Sequence, residues 1–216
     1  RDAGVHIALY SAEPYPYYPR PKLIDLLAGE VSVDQMASYP PEWYTKRGIE
    51  THLGQRVAEV LPAEHRIRLG DGSTVAYDRL VLATGARSWV PPTPGSDLDH
   101  VHTLRTLDDA LALRALATRD GRAVALGGGL LGLDASAALR ANGIPVTVVE
   151  MMPRLLPRQL DAEGAAVLTT LLEQRGLEII TGDVATAIQG DGRVERVELK
   201  SGRVLPASMV LISAGV

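Results

Sequence analysis

Residues 123–132 of the chain read Ala-Val-Ala-Leu-Gly-Gly-Gly-Leu-Leu-Gly. A short apolar run leads into a G-x-G-x-x-G pattern formed by Gly127, Gly129 and Gly132, and a helical pattern follows over residues 130–142. In such a corner the first glycine permits the tight turn, the second lets the backbone approach a pyrophosphate, and the third lets the helix pack closely on the strand. The stretch therefore predicts a Rossmann-type dinucleotide site.

The amino-terminal end of that helix supplies the predicted phosphate contacts. Its first turn has free backbone N–H groups and the positive end of the helix dipole, and both favour an anionic ligand. The candidate phosphate-binding residues are Gly127, Gly128, Gly129, Leu130, Leu131 and Gly132.

The strand that follows predicts which dinucleotide is bound. Residues 145–149 form an apolar run, and Glu150 comes directly after it, 18 residues beyond Gly132. An acidic residue about 20 residues after the glycines accepts hydrogen bonds from the ribose hydroxyls. A carboxylate there also repels the 2′-phosphate of NADP, which favours NAD. Arg154 leaves NADP open as an alternative, because a nearby arginine can accommodate that phosphate.

Composition excludes several other classes of protein. The 216 residues suffice for one large or two small domains, and 46% of them are hydrophobic, enough for a buried core. No apolar run is long enough for a membrane span, and a net charge of −4 without a basic face argues against nucleic acid. The absence of cysteine excludes a disulfide framework, and the histidine spacing predicts no metal site. We expect a soluble cytoplasmic protein, and both ends of the chain look cut from a longer one.

Other patterns predict the flanking helices and strands. Thr106 and Asp109 resemble a capping box for a helix over residues 107–117, and Asp161 is placed to cap a helix through Arg175 with an apolar stripe at Val167, Leu168, Leu171 and Leu172. A short helix over residues 23–28 should end at Gly29. Buried strands are predicted over residues 5–10, 79–83, 177–180 and 210–213, and extended runs flank turns at residues 70–72 and 201–202.

An internal repeat indicates a duplicated domain. Residues 69–85 align without a gap on residues 199–215, and each copy runs from a hairpin turn through a spacer to an apolar strand that ends near a glycine. Self-similarity of this kind is typical of duplicated units. Two related nucleotide-binding domains are therefore expected.

Three segments resemble the pyridine nucleotide–disulfide oxidoreductase superfamily: Tyr77–Gly85, Gly127–Gly132 and Leu155–Asp161. The loop Pro16–Leu23 with Leu27–Gly29 is similar to rubredoxin reductases and to the large subunit of NADH-dependent nitrite reductases. The resemblance implies an α/β fold with two related Rossmann-like domains, each with a small antiparallel β element. Residues 1–102 would be a partial FAD-binding domain, which lacks the first Gly-rich loop of its relatives. Residues 103–216 would be a nearly complete NAD-binding domain.

The resemblance also implies further cofactor contacts. It places Glu13 near the adenosine ribose of FAD, although the internal repeat points to Ser11 as the equivalent of Glu150. The remaining FAD contacts implied are Val57, Ala83, Thr84 and Gly85, with Arg20 and Lys22 toward the flavin. Near the nicotinamide it places Ala214, Gly215 and Asp134. Relatives carry Glu at the position of Asp134.

The function that the resemblance implies is an FAD-dependent NADH oxidoreductase. NADH would pass a hydride to FAD, and electrons would continue to an external carrier such as rubredoxin, ferredoxin or a nitrite-reductase-type centre. The partner is thus a small redox protein or redox domain. No catalytic acid or base is predicted, because the cofactors carry the chemistry. Two alternatives are an NAD(H)-binding regulatory module without turnover and a reductase that prefers NADPH.

Overall fold

A computed structural model of the chain describes residues 4–117 and 121–215. Contacts divide the chain into two compact units. The first comprises residues up to 19 together with 33–85, and the second comprises 20–32 together with 86 onward. Residues 86–102 thus lie with the second unit, whereas the sequence places the domain boundary after residue 102. The assignment of the two halves to FAD and NAD stays a prediction.

Five helices and thirteen strands make up the framework within the described residues. The helices are α1 (Lys22–Ala28), α2 (Pro41–Thr45), α3 (Leu107–Leu116), α4 (Leu130–Ala141) and α5 (Ala162–Gln174). The strands are β1 (Ile7–Ser11), β2 (Ile49–Leu53), β3 (Val57–Leu61), β4 (Arg66–Leu69), β5 (Thr74–Ala76), β6 (Val101–His102), β7 (Ala123–Leu126), β8 (Val146–Glu150), β9 (Leu177–Thr181), β10 (Ala185–Gln189), β11 (Arg196–Leu199), β12 (Val204–Pro206) and β13 (Met209–Ile212).

The first unit contains two small sheets. Strands β1 and β2 pair in parallel, with Ile7 opposite Ile49, and β3, β4 and β5 form an antiparallel sheet. The strand predicted at residues 5–10 is present as β1, but the prediction that it is buried is wrong. Ile7 is 48% exposed and Leu9 is 39% exposed. A two-stranded sheet leaves one edge of β1 without a partner strand among the described residues.

The strand predicted at residues 79–83 is also wrong. No regular structure forms there, and Val81 is 87% exposed. A strand requires a neighbour that accepts its ladder of hydrogen bonds. No described strand pairs with residues 79–83. This apolar segment, whose pattern predicts a buried strand, is therefore irregular and exposed.

The second unit is built on a parallel sheet of five strands in the order β6-β13-β7-β8-β9. Its central strands β13 and β7 are apolar on both faces and almost entirely buried, as expected where both faces are covered. Helix α4 packs on β7, β8 and β9, and α5 packs on β9. The antiparallel sheet β10-β11-β12 contributes Ile188, Val197 and Leu205 to a core shared with Val124 and Val210 of the parallel sheet. The predicted α/β fold with a small antiparallel element in each half is therefore confirmed.

The helix ends follow the sequence predictions closely. Thr106 and Asp109 form a complete capping box at α3, and the side chain of Asp161 accepts a hydrogen bond from the Gly164 N–H at α5. Helix α1 ends at Gly29, whose φ is 82°. The apolar stripe predicted for α5 is wrong in part, because Leu172 is buried but Val167 is 60% exposed.

The internal repeat is visible in the backbone hydrogen bonds. The N–H of Leu69 donates to the Ser73 carbonyl at 2.9 Å, and the N–H of Leu199 donates to the Arg203 carbonyl at the same distance. The turn glycines Gly72 and Gly202 both have a φ of 87°. The two hairpin turns are therefore equivalent in geometry as well as in sequence.

None of the helices in the described ranges is both long enough and apolar enough to span a membrane.

Candidate dinucleotide-binding site

The turn between β7 and α4 depends on the absence of a side chain at Gly127. Its φ is 119°, a region that only glycine adopts readily. Its N–H donates to the Val149 carbonyl at 2.8 Å, which holds the turn against β8. A Cβ built on Gly127 would lie 2.3 Å from the Ser213 carbonyl oxygen. The chain therefore leaves β7 directly beside the end of β13, as the first glycine of the pattern predicts.

The other two glycines of the pattern differ in what surrounds them. A Cβ on Gly132 would lie 2.1 Å from the Gly127 carbonyl oxygen, so this glycine lets the first turn of α4 sit against the turn that precedes it. A Cβ on Gly129 would meet nothing within 4 Å. Gly129 is the N-cap of α4 and has no side chain to bond the first N–H groups of the helix. The corner thus combines open space with free donors, which suits a pyrophosphate.

Glu150 faces this corner from the end of β8. Its Oε2 accepts a hydrogen bond from the Gly128 N–H at 2.7 Å, and its Oε1 accepts one from the Met152 N–H at 2.7 Å. Each carboxylate oxygen has two lone pairs, so acceptor capacity remains for ribose hydroxyls. The half-buried carboxylate is therefore fixed by backbone donors at the place where the sequence predicts the ribose contact.

Gly128 has a role that the sequence pattern did not reveal. A Cβ at this position would lie 2.7 Å from Leu155 Cδ2 and 3.0 Å from Glu150 Cβ. Leu155 is completely buried, so it has no room to move aside. The middle position of G-x-G is variable in the general pattern. Here the approach of Glu150 and Leu155 explains why the chain has a third consecutive glycine.

Arg154, the residue that left NADP open, is held within its own loop. Its Nη2 donates to the Pro157 carbonyl at 3.3 Å. Its Nε is buried and has no hydrogen-bond partner among the described residues.

The predicted nicotinamide contacts lie at the end of β13. Ala214 and Gly215 are exposed, and the Gly215 carbonyl accepts a hydrogen bond from the Trp89 N–H at 2.9 Å. Trp89, whose side chain is 54% exposed, had no predicted role. Asp134 lies on an exposed part of α4, two residues beyond Gly132. Ser213 joins this end to the glycine turn, because its N–H donates to the Leu126 carbonyl at 2.9 Å.

In the first unit, the structure clarifies the relation between Ser11 and Glu13. The Glu13 N–H donates to Ser11 Oγ at 3.2 Å, just as the Met152 N–H donates to the Glu150 carboxylate. The Glu13 carbonyl accepts from the Gly54 N–H at 3.0 Å, and the equivalent Met152 carbonyl accepts from Gly182 at 2.9 Å. Ser11 is thus the structural equivalent of Glu150. The Glu13 carboxylate accepts a short hydrogen bond from the Tyr18 hydroxyl.

The other predicted FAD contacts fall into two groups. Val57 opens β3, and the exposed segment Ala83–Gly85 has no regular structure, with a φ of 67° at Gly85. Arg20 and Lys22 lie in the second unit, at the start of α1. There the Arg20 Nη1 donates to the Arg105 carbonyl at 2.9 Å. No cluster of metal-binding side chains occurs in residues 4–117 or 121–215.

Comparison with known proteins gives a consistent result. The family model described as pyridine nucleotide-disulphide oxidoreductase matches residues 1–216. The chain is 33% identical over 210 residues to the assimilatory nitrate reductase electron transfer subunit of Bacillus subtilis, covering 97% of the chain and 27% of that protein. It is 35% identical over 210 residues to the biphenyl dioxygenase system ferredoxin–NAD(+) reductase component of Paraburkholderia xenovorans, covering 97% of the chain and 51% of that protein.

A solved structure gives the same assignment. The ferredoxin reductase from Rhodopseudomonas palustris superimposes with a TM-score of 0.89 at 31% identity, covering 99% of this chain and 53% of that one. The chain thus spans about a quarter to a half of the length of the relatives described here. The family and its solved neighbours bind FAD and NAD(H). The resemblance read from the sequence is confirmed: the chain belongs to the pyridine nucleotide–disulphide oxidoreductase family.

Proposed function

We propose that the second unit binds NADH at residues 127–132 and Glu150, and that the complete protein passes a hydride from NADH to FAD. The observation that carries the proposal is the position of Glu150, whose carboxylate is held 2.7 Å from the Gly128 N–H beside the open corner at Gly129. A ribose whose hydroxyls donate to Glu150 would bring its pyrophosphate toward the free donors of α4.

The residues at the corner fit an NAD molecule in three ways. Gly129 leaves space, α4 offers uncapped N–H groups, and Glu150 offers acceptors. Oxidised or reduced nicotinamide would then lie toward Ala214 and Gly215, whose backbone is exposed. Asp134 is a candidate contact to the nicotinamide from α4. NADH is proposed over NADPH because the Glu150 carboxylate would repel a 2′-phosphate, and Arg154 Nη2 already donates to the Pro157 carbonyl at 3.3 Å.

We infer that FAD is bound through the first unit. Exposed backbone at Ala83–Gly85 would let the cofactor approach closely, and Val57 would offer backbone groups to its adenine. Glu13 is the candidate ribose acceptor, because its carboxylate is already oriented by the Tyr18 hydroxyl. Arg20 and Lys22 are the candidate cationic groups toward the flavin.

In the reaction, the bound cofactors supply the hydride chemistry and this chain supplies placement. Hydride transfer needs the donor and acceptor held in a fixed orientation rather than an acid or a base. The residues 127–132 and Glu150 would provide that orientation for NADH by holding its pyrophosphate and one ribose. No catalytic acid or base among the residues of this chain is part of the proposed reaction.

We propose an external small redox protein as the electron acceptor. The chain contains no cysteine, so no disulfide formed by these residues could receive the electrons. Relatives named for electron transfer to ferredoxin support this choice, and a putidaredoxin reductase has been solved in a covalent complex with putidaredoxin. A nitrite-reductase-type centre in the same protein is the second candidate, supported by relatives with that name. We expect the reaction to take place in the cytoplasm.

The test uses the full-length protein purified with its cofactor. An absorption band of oxidised flavin that bleaches on addition of NADH would support the proposal, whereas NADH binding without a flavin band would favour the regulatory module.

Glu150→Ala should weaken NADH binding by roughly 5- to 150-fold, which corresponds to about 1–3 kcal/mol for unmade polar contacts. Glu178→Ala is the matched control, because Glu178 is a carboxylate on β9 that pairs with Arg203. Equal affinity in both variants would contradict the proposed site.

A further inference from the structure

Asp183, two residues beyond β9, is the only buried carboxylate in the described part of the chain. Its Oδ1 accepts hydrogen bonds from the Val184 N–H at 2.9 Å and the Ser201 N–H at 3.2 Å. Its Oδ2 accepts one from the Ser201 hydroxyl at 2.5 Å. These bonds tie the segment after β9 to the turn between β11 and β12. The Ser201 hydroxyl bond is the main cause that holds the pKa of Asp183 below its usual value, against the opposing effect of burial.

The backbone of the same segment holds the loop that carries Glu150. The Asp183 N–H donates to the Glu150 carbonyl at 3.3 Å, and the Gly182 N–H donates to the Met152 carbonyl at 2.9 Å. The Glu150 carboxylate itself accepts from the Met152 N–H. Hydrogen bonds therefore link Ser201 to Asp183 and Asp183 to the Glu150 backbone. The adjoining Gly182 is linked through Met152 to the Glu150 carboxylate.

The first copy of the repeat shows that the loop forms without this carboxylate. The Gly54 N–H donates to the Glu13 carbonyl at 3.0 Å, which is the bond that Gly182 makes in the second copy. Gln55 stands at the position of Asp183. In the hairpin turn of that copy, Asp71 occupies the position of Ser201, and its Oδ1 accepts from the Ser73 N–H at 2.9 Å within the same turn.

This difference between the copies points to a role beyond folding. A carboxylate loses hydration when it is buried, so it destabilises the fold unless its hydrogen bonds replace that hydration. Hydrogen bonds replace that hydration at Asp183, and the buried acid occurs only in the copy whose loop meets the backbone of the predicted ribose-binding acid. In the first copy the equivalent of Glu150 is Ser11, which has no charge to orient, and the buried acid is absent.

We propose that Asp183 is a positioning residue of the NAD site, which holds Glu150 in the orientation that meets the ribose. The inference rests on the proposed function, because it assigns Asp183 an effect on NADH only through Glu150. Asp183 does not touch the dinucleotide in this scheme. Its removal would leave Glu150 present but free to adopt orientations that do not bind the ribose hydroxyls.

The experiment measures NADH binding and turnover of the full-length flavoprotein with four single variants. Asp183→Ala should raise KM for NADH on the order of tenfold, a typical coupling between neighbours in one hydrogen-bond network, with kcat little changed. Asp183→Asn should recover most of the affinity, since its amide oxygen still accepts from both N–H groups. Ser201→Ala removes the hydroxyl bond to Asp183, together with a long bond from the Arg203 N–H at 3.4 Å, and should give an intermediate effect. Asp71→Ala, the matched change in the first copy, should leave KM unchanged.

A double variant separates this role from a general loss of structure. In the Glu150→Ala background, Asp183→Ala should weaken NADH binding no further, because the residue through which it acts is gone. If Asp183→Ala weakens NADH binding in the Glu150→Ala background as much as it does in the parent, the inference is overturned. An unchanged KM for NADH in both Asp183→Ala and Ser201→Ala would also overturn it. If Glu150→Ala itself binds NADH normally, the proposed function fails instead. Should Asp183→Ala not fold, Ser201→Ala with and without Glu150→Ala gives the same discrimination, because this variant is also expected to weaken NADH binding only while Glu150 is present.

Discussion

The Ser213 carbonyl oxygen lies only 2.3 Å from the position that a Cβ would take on Gly127. This approach joins the end of β13 to the turn after β7, and it forbids any side chain at Gly127. We therefore expect Gly127→Ala to destabilise the protein by more than about 3 kcal/mol, because strain at a φ of 119° adds to a backbone clash. Chemical unfolding measures the loss.

Gly143→Ala is the control for that variant. Gly143 has a φ of 90°, but a Cβ there would meet nothing within 4 Å. This change should cost only about 1–2 kcal/mol, the strain of a left-handed residue in open space. Equal losses for the two variants would show that the approach of Ser213 contributes nothing.

Gly129→Ala should separate binding from stability. Gly129 has a φ of −78°, which any residue adopts, and its Cβ would project into open space. We expect an unfolding free energy within about 0.5 kcal/mol of the parent, as for other unstrained exposed sites. NADH affinity should fall, because the added methyl group occupies the space where the pyrophosphate approaches the backbone. Normal NADH titration of this variant would place the pyrophosphate elsewhere.

Met151 offers a way to change the preferred nucleotide. It follows Glu150 directly, and its side chain is 66% exposed. Glu150→Ala combined with Met151→Arg would replace a carboxylate that repels the 2′-phosphate with a guanidinium that binds it. The ratio of kcat/KM for NADPH to that for NADH should rise by at least about tenfold, equivalent to 1.4 kcal/mol. Met151→Arg alone should change the ratio much less, and an equal change in both would contradict the role of Glu150.

His102 should make the stability of the protein depend on pH. Burial lowers the pKa of His102, and the charge of Asp109 only partly opposes this effect. A histidine with a lowered pKa binds fewer protons in the folded state than in the unfolded one, so stability is highest above its unfolded pKa of about 6.5 and declines as the pH falls through that value. Urea unfolding between pH 8 and 5 should show this decline.

His102→Gln should reduce that decline, because the glutamine does not titrate. His6→Gln is the control, since the His6 side chain is 71% exposed. If His102→Gln keeps the full pH dependence of the parent, other groups cause it.

Local patterns were enough to predict most of the second unit. The strand, glycine turn and helix at residues 123–141, the capping box at Thr106 and the cap at Asp161 all depend on neighbours within a few positions. The acid at Glu150 followed from its spacing after the glycines. The roles of these residues toward NAD remain predictions.

Features that depend on distant partners could not be read in the same way. Residues 79–83 and 209–213 have similar apolar patterns, yet only the second finds neighbours, namely β6 and β7. Strand β10 was not predicted, because Ala185–Gln189 is too short and mixed to stand out. Asp183 is an ordinary acid in the sequence, and its importance follows only from Ser201, 18 positions away.

The sheet order β6-β13-β7 has a consequence for synthesis of the protein on the ribosome. Strand β7 leaves the ribosome well before β13, which must insert between β6 and β7 to complete the sheet. At about 5–20 residues per second, the 86 residues from Leu126 to Ile212 take roughly 4–17 s to translate. Throughout that interval one edge of β7 lacks its neighbour, so the nascent chain is vulnerable to wrong strand pairing, and has most need of a chaperone, until β13 emerges.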